Sequence, residues 1–138
     1  MQCANLQQSA EKIRPAVGPK ILVIDDDPSL LALVRTFLAR AGYGVLEASN
    51  GLEGLRLLRR TAVDLLITDM IMPEYEGVET ILRVRALHPA MKILAMSGVN
   101  ARHSYLRLAT RVGANATLEK SLIPKQLIRS VQSLLSMS

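Results

Sequence analysis

The chain has 138 residues, and 17 Lys plus Arg against 12 Asp plus Glu leave a formal charge of +5. At about 150 residues per domain this is one ordinary globular domain, and 49% apolar residues are enough for a core, which excludes wholesale disorder. No apolar run approaches the roughly 18 residues that cross a bilayer, residues 1–20 lack the hydrophobic block of a secretory signal, and the lone Cys3 excludes an internal disulfide framework.

Residues 1–19 read as a flexible tail, rich in Gln, Ala and Ser and punctuated by Pro15, Gly18 and Pro19. Residues 20–138 read as the folded domain. Its first apolar run, Ile21–Ile24, predicts a strand. Asp27 as N-cap, Pro28 in the first turn and Leu30, Leu31, Val34, Phe37 and Leu38 at helical spacing predict a helix that Gly42 stops. Val45–Ala48 follows as a strand, and Asn50 caps a second helix carrying Leu52, Leu55 and Leu58. After the run Leu65–Thr68 comes a helix with Val78, Ile81, Leu82 and Val84, ending near His88 and Pro89. The run Ile93–Met96 precedes a helix from about Ala101 to Val112, closed by Gly113. The run Ala116–Leu118 precedes a last helix that opens at Pro124 and carries Leu127, Ile128, Val131, Leu134 and Leu135. The runs are short, β-branched and without alternation, as in strands covered on both faces. Five strand–helix alternations with right-handed crossovers predict an α/β fold, a parallel sheet between two helical layers. In such sheets ligands bind beyond the carboxyl ends of the strands.

That edge carries a distinctive set. Asp25 and Asp26 follow the first strand, Asp69 the third, Ser97 closes the fourth and Lys120 follows the fifth. Singly, each has an ordinary reading: an Asp before a helix is usually a cap, Ser97 before Gly98 is turn chemistry, and a lone Lys is a solvated surface group. Together they are harder to dismiss, because clustered carboxylates repel and each loses solvation on burial. A hard divalent cation with oxygen ligands relieves that repulsion, and Mg²⁺ typically takes only one or two carboxylates while keeping waters. Ser97 and Lys120 are then left to hold an anion beside the metal. A metal, a nucleophilic carboxylate and anion-stabilising donors are the parts needed to transfer a phosphoryl group to Asp.

The segments KILVIDDDPSL, DLLITDMIMPEYEG, KILAMSG and TLEKSLIPKQL, in order from Lys20 onward, resemble the receiver domain of two-component response regulators. The resemblance implies a flavodoxin-like, doubly wound five-stranded parallel sheet of order 2-1-3-4-5 with five helices. It implies that Asp69 is both the phosphoacceptor and a metal ligand, and that Asp26 binds Mg²⁺ directly. Asp25 serves the acidic pocket largely through water, and the backbone carbonyl of Ile71 completes the ligand set. Ser97 hydrogen-bonds the phosphoryl group and Lys120 pairs with it, while Pro73 and Gly77 shape the loop after the acceptor, glycine permitting a backbone conformation others resist. It further implies a cytoplasmic signalling switch rather than an enzyme. The switch is charged by a sensor histidine kinase or a histidine phosphotransfer protein and read by a separate, unidentified protein, since about two residues follow the last helix.

Two departures from the family pattern stand out. Ser121 replaces the proline that usually follows the lysine through a cis bond; a non-proline cis bond costs about 3 kcal/mol, so the loop is strained or Lys120 is presented differently. Thr117 stands where the family has its aromatic switch residue. One rival reading is a degenerate receiver that only docks partners. Another is a small Mg²⁺-dependent phosphatase with an Asp nucleophile, disfavoured because Met70 and Ile71 occupy the place of a general acid. His88 and His103 have no second ligand at metal-binding spacing. The arginines at 56, 59, 60, 83, 85, 102, 107 and 111 fall mostly on polar helix faces, solvated by default, with docking of an acidic partner as the sharper alternative. With 3% aromatics and no Trp, the positive charge predicts weak, sequence-independent nucleic-acid binding at most.

In receivers, the positions two residues after the acceptor and two after the Ser/Thr flank the path of the hydrolytic water, and here they are Ile71 and Val99. Neither side chain accepts a hydrogen bond, so neither orients water, and positioning is most of the catalysis available to phosphoryl transfer. Loss of one orienting group slows hydrolysis by about tenfold to a hundredfold. The phosphorylated chain should therefore lose its phosphoryl group slowly, and Ile71→Asn with Val99→Glu should shorten the lifetime measured by intact mass over time. Decay within seconds in the natural sequence, or an unchanged rate in the double variant, would refute the role given to these two side chains.

Overall fold

The computed structural model describes residues 18–70, 76–98 and 103–137. Five parallel strands form one sheet: β1 Lys20–Ile24, β2 Gly44–Ala48, β3 Leu65–Asp69, β4 Lys92–Ser97 and β5 Ala116–Glu119, in the spatial order β2-β1-β3-β4-β5. This is the doubly wound, flavodoxin-like order expected. Ile21–Ile24, Leu65–Ile67 and Ile93–Met96 are fully buried, which explains why these runs carry no polar alternation. The register pairs Ile24 with Ala48 and Thr68, Asp69 with Met96, and Ser97 with Glu119. The carboxyl ends of β1, β3, β4 and β5 are therefore level, and the residues after them share one rim.

The helices are α1 Pro28–Arg40, α2 Gly51–Arg60, α3 Glu76–Leu87, α4 His103–Val112 and α5 Ile123–Leu135. Leu31, Val34 and Leu38 of α1 and Leu127, Val131 and Leu134 of α5 pack on the sheet face formed by Ile21, Val23, Ile67 and Leu94. The opposite face, with Leu22, Ile24, Leu66 and Ile93, is covered by Leu58 of α2, Ile81 and Val84 of α3 and Ala109 of α4. Period-2 alternation of strand side chains thus sends successive apolar residues into two separate cores. None of the helices among the described residues is long and apolar enough to cross a membrane.

Local chemistry sets the helix ends. The Asp27 side chain accepts the Ser29 N–H at 2.9 Å with Pro28 in the first turn, and Asn50 accepts the Glu53 N–H at 2.8 Å. Gly42 and Gly113, at φ 94° and 130°, supply the left-handed residues after α1 and α4. Ordered backbone contacts begin before residue 20: the Gly18 N–H donates to the Gly42 carbonyl at 2.8 Å and the Gly44 N–H to the Pro19 carbonyl at 3.0 Å. Residues 1–17 of the expected tail lie outside the described residues, as do 101 and 102 at the expected start of the fourth helix. At the amino-terminal rim of the sheet, Arg85 gathers carbonyls from two connections. It donates to Pro89 and Met91 after α3 at 2.8 and 2.7 Å, to Gly113 after α4 at 2.6 Å, and to the Asn115 side chain at 3.0 Å. Asn115 in turn accepts the Ile93 N–H at 2.8 Å.

Two expectations change. Leu52 and Leu82, read as core-facing by their spacing, are 59% and 50% exposed, and the buried face of α2 is Gly51, Gly54 and Leu58. Gly77 lies inside α3, and positive φ occurs only at Gly42 and Gly113 among the described glycines, so its need is proximity and not an unusual backbone conformation. A Cβ at Gly77 would stand 2.3 Å from the Asp69 carbonyl oxygen and 2.7 Å from the Met70 Cα, both backbone atoms that cannot step aside. Gly77→Ala should lower stability by about 1–3 kcal/mol, the usual cost of overpacking, as read by urea denaturation. Gly98→Ala, whose Cβ meets nothing within 4 Å among the described residues, is the control, and equal stability of the two variants would show that the approach relaxes freely.

Candidate functional site

β1 ends so that Asp25 is the first residue past the sheet, and the register sets Asp69 level with it on the neighbouring strand. Asp25 is fully buried, Asp69 is 2% exposed, and Asp26, on the turn toward α1, is exposed. One carboxylate oxygen from each of the three lies within 4.8 Å of the others. Lys120, one residue past β5, crosses to both buried acids: its Nζ is 2.8 Å from Asp25 Oδ2 and 3.2 Å from Asp69 Oδ2. The Asp27 backbone N–H donates to Asp25 Oδ1 at 2.9 Å. Ser97, on the strand between β3 and β5, is fully buried, and its Oγ has no hydrogen-bond partner among the described residues. A buried hydroxyl without a partner is costly unless something arrives to bond it.

Electrostatics follow from this geometry. Burial raises the pKa of Asp25, and the Lys120 hydrogen bond and the Asp27 N–H only partly counter it. For Lys120, burial pulls the pKa down, but the Asp25 hydrogen bond and the charges of Asp69 and Asp25 together outweigh it and the ammonium is held above its ordinary value. Among the described residues of this rim, three carboxylates stand against one ammonium. Those hard oxygen donors fit a divalent cation such as Mg²⁺. The expected fourth ligand, the Ile71 carbonyl, lies outside the described residues, as do Pro73 and Val99.

Asp25, Asp26, Asp69, Ser97 and Lys120, picked from sequence, thus share one rim. Lys120–Leu122 forms a turn of 3₁₀ helix, with no cis peptide bond among the described residues, so Ser121 leaves the lysine aimed inward. Sequence reading missed the Asp27 backbone N–H as a partner of Asp25, because a main-chain donor carries no residue-type signal; only its place two residues on, in an Asx-type turn, hints at it.

The family model of the response regulator receiver domain matches residues 21–132. An uncharacterized 14.6 kDa protein from the sodA1 3' region of Leptolyngbya boryana is 42% identical over 113 residues, 81% of this chain and 86% of that protein. Transcriptional regulatory protein GlrR of Escherichia coli K12 is 32% identical over 118 residues, and although these cover 86% of the chain they are only 26% of GlrR. A CheY-like response regulator receiver domain protein from Methanospirillum hungatei JF-1 superimposes with a TM-score of 0.78 at 28% identity, over 85% of this chain and 93% of that one.

Removing the ammonium should expose the cost of the acids. Lys120→Met leaves Asp25 and Asp69 buried without their cation and should destabilise by about 3 kcal/mol near neutral pH, as thermal denaturation without divalent metal would show. The penalty should shrink as pH falls through the raised pKa of Asp25, since a protonated carboxyl needs no counter-charge. It should also shrink at high pH, because the lysine's contribution is fully present below 10.5 and is lost as pH rises through its raised folded value. A penalty that is flat with pH would deny the charge pairing.

Proposed function

The chain belongs to the response regulator receiver domain family, and from that premise we propose that Asp69 accepts a phosphoryl group from a phosphohistidine of a sensor kinase or histidine phosphotransfer protein. Members of this family are signalling switches, not classical enzymes. The observation that carries the reading is the Lys120 ammonium shared by two buried carboxylates, beside a buried hydroxyl that has no partner among the described residues. A stand-alone docking module has no use for so costly a cluster.

An Asp69 carboxylate oxygen attacks phosphorus, the phosphorus–nitrogen bond breaks, and the imidazole leaves with the bonding pair to be protonated. Transfer turns Asp69 from a carboxylate into an acyl phosphate, so the Lys120 ammonium gains a more highly charged partner within reach of its present position. The Ser97 hydroxyl, without a partner among the described residues, donates to a phosphoryl oxygen. Asp25, Asp26 and Asp69 would hold Mg²⁺, which when bound would neutralise charge developing on the phosphoryl oxygens. Asp25 keeps its orientation through the Asp27 N–H. Phosphorylation then shifts the population of a conformation that a downstream protein recognises.

Incubation with Mg²⁺ and acetyl phosphate should add one phosphoryl group by intact mass, and Asp69→Asn should abolish it. Asp26→Ala should reduce Mg²⁺ affinity measured by calorimetry while leaving the fold intact or slightly more stable, since carboxylate repulsion falls. Phosphorylation that survives Asp69→Asn, or Mg²⁺ affinity that survives Asp26→Ala, would overturn the respective assignment.

A further inference from the structure

Away from the acidic rim, the surface between α2 and α3 contains a hollow of about 170 Å³ lined by Gly51, Leu52, Leu55, Glu79, Thr80 and Arg83. Its origin is local. Gly51 contributes no side chain, and Gly54 seats α2 so close to the sheet that a Cβ there would overlap Ile24 Cδ1 at 2.3 Å. The leucines at 52 and 55 are left along the flank, the first 59% exposed. An enclosed space of about 150 Å³ holds a benzene ring, so the hollow has room for one large apolar side chain. Its lining carries Glu79 and Arg83, and further arginines lie along α2. Arg56 and Arg59 follow Leu52 and Leu55 by four residues and so extend the same flank of α2; both are exposed, and neither pairs with an acid among the described residues. Arg83 lines the hollow from α3, 61% exposed, with Glu79 at 3.4 Å.

We propose that the channel between α2 and α3 docks an acidic amphipathic segment of a partner protein, with an apolar side chain over Leu52 and Leu55 and carboxylates against Arg56, Arg59 and Arg83. An apolar centre with a charged border is the anatomy of a small protein–protein site. Nucleic acid fits less well: the floor is aliphatic and no aromatic ring lines it among the described residues. An anionic membrane is disfavoured because the hollow beside Leu52 is concave and a flat bilayer cannot fill it. The docking does not depend on phosphorylation of Asp69.

The test uses the full, unphosphorylated chain and a synthetic helical peptide of Glu, Leu and Phe about three turns long. Its binding is followed by amide chemical shifts and by fluorescence anisotropy. Shifts should map to α2 and α3. Leu52→Asp, and separately Arg56→Glu with Arg83→Glu, should weaken binding by about tenfold or more. Lys125→Glu with Arg129→Glu on α5 makes the same charge change elsewhere and should weaken it far less. Shifts that map off α2 and α3, equal loss with the α5 pair, or tighter binding of a single-stranded oligonucleotide or anionic vesicles through the same residues would overturn the proposal. Circular dichroism of each variant separates lost docking from lost folding.

Discussion

Two carboxylates buried side by side dominate the electrostatics of the carboxyl rim, and the neighbouring elements meet them with donors. Like charges about 4 Å apart repel by about 4 kcal/mol at an effective dielectric near 20, before any loss of hydration. Asp25 has no exposed surface and Asp69 almost none, so water does not relieve them. The Lys120 ammonium, carried to the rim by the last strand, offsets part of the repulsion by touching both. A backbone N–H from the turn into α1 offsets another part at Asp25. What remains is a standing negative charge, and it is this residue of imbalance that suits the rim to a cation and to a reacting anion held by it.

The parallel sheet was legible because its strands are buried on both faces, and burial on both faces writes an unbroken apolar run. Ile21–Ile24 and Ile93–Met96 show this in its purest form. The rim was legible for the same reason: once the strands are placed, Asp25, Asp69, Ser97 and Lys120 fall at corresponding ends. The helices were harder. Apolar spacing in α2 pointed to Leu52, but a helix can seat on glycine, and Gly51 and Gly54 turned the close face away from the leucine. Gly77 was singled out for the wrong reason, because the one-letter sequence does not separate a glycine needed for φ from one needed for proximity. Thr117, paired with Ala95 in the β4–β5 register, is plain in the sequence as a departure from the family's aromatic residue.

The two rims of the sheet are built on opposite strategies. At the carboxyl rim, side chains of like charge converge and the hydroxyl of Ser97 lacks a partner among the described residues. At the amino rim, one guanidinium bonds four oxygens from connections remote in sequence. The planar fork of Arg85 suits that task, and a lysine could not repeat it. Saturating one rim leaves α3, α4, β4 and β5 anchored at the end where no chemistry is proposed. Rearrangement at the other rim can then tilt elements without separating them.

The Lys120 contact also has a consequence for how the protein is made. Asp25 belongs to the first strand and Lys120 to the connection after the fifth, so the counter-charge is synthesised long after the acid it neutralises. A nascent chain that has placed β1 and β3 but not β5 holds an acidic pair with no ammonium against it. Such a chain gains nothing by packing Asp25 and Asp69 tightly until the last strand docks. Completion of the edge strand and completion of the charge pairing are one event, and competence at the rim therefore reports on the finished domain, not on a fragment of it.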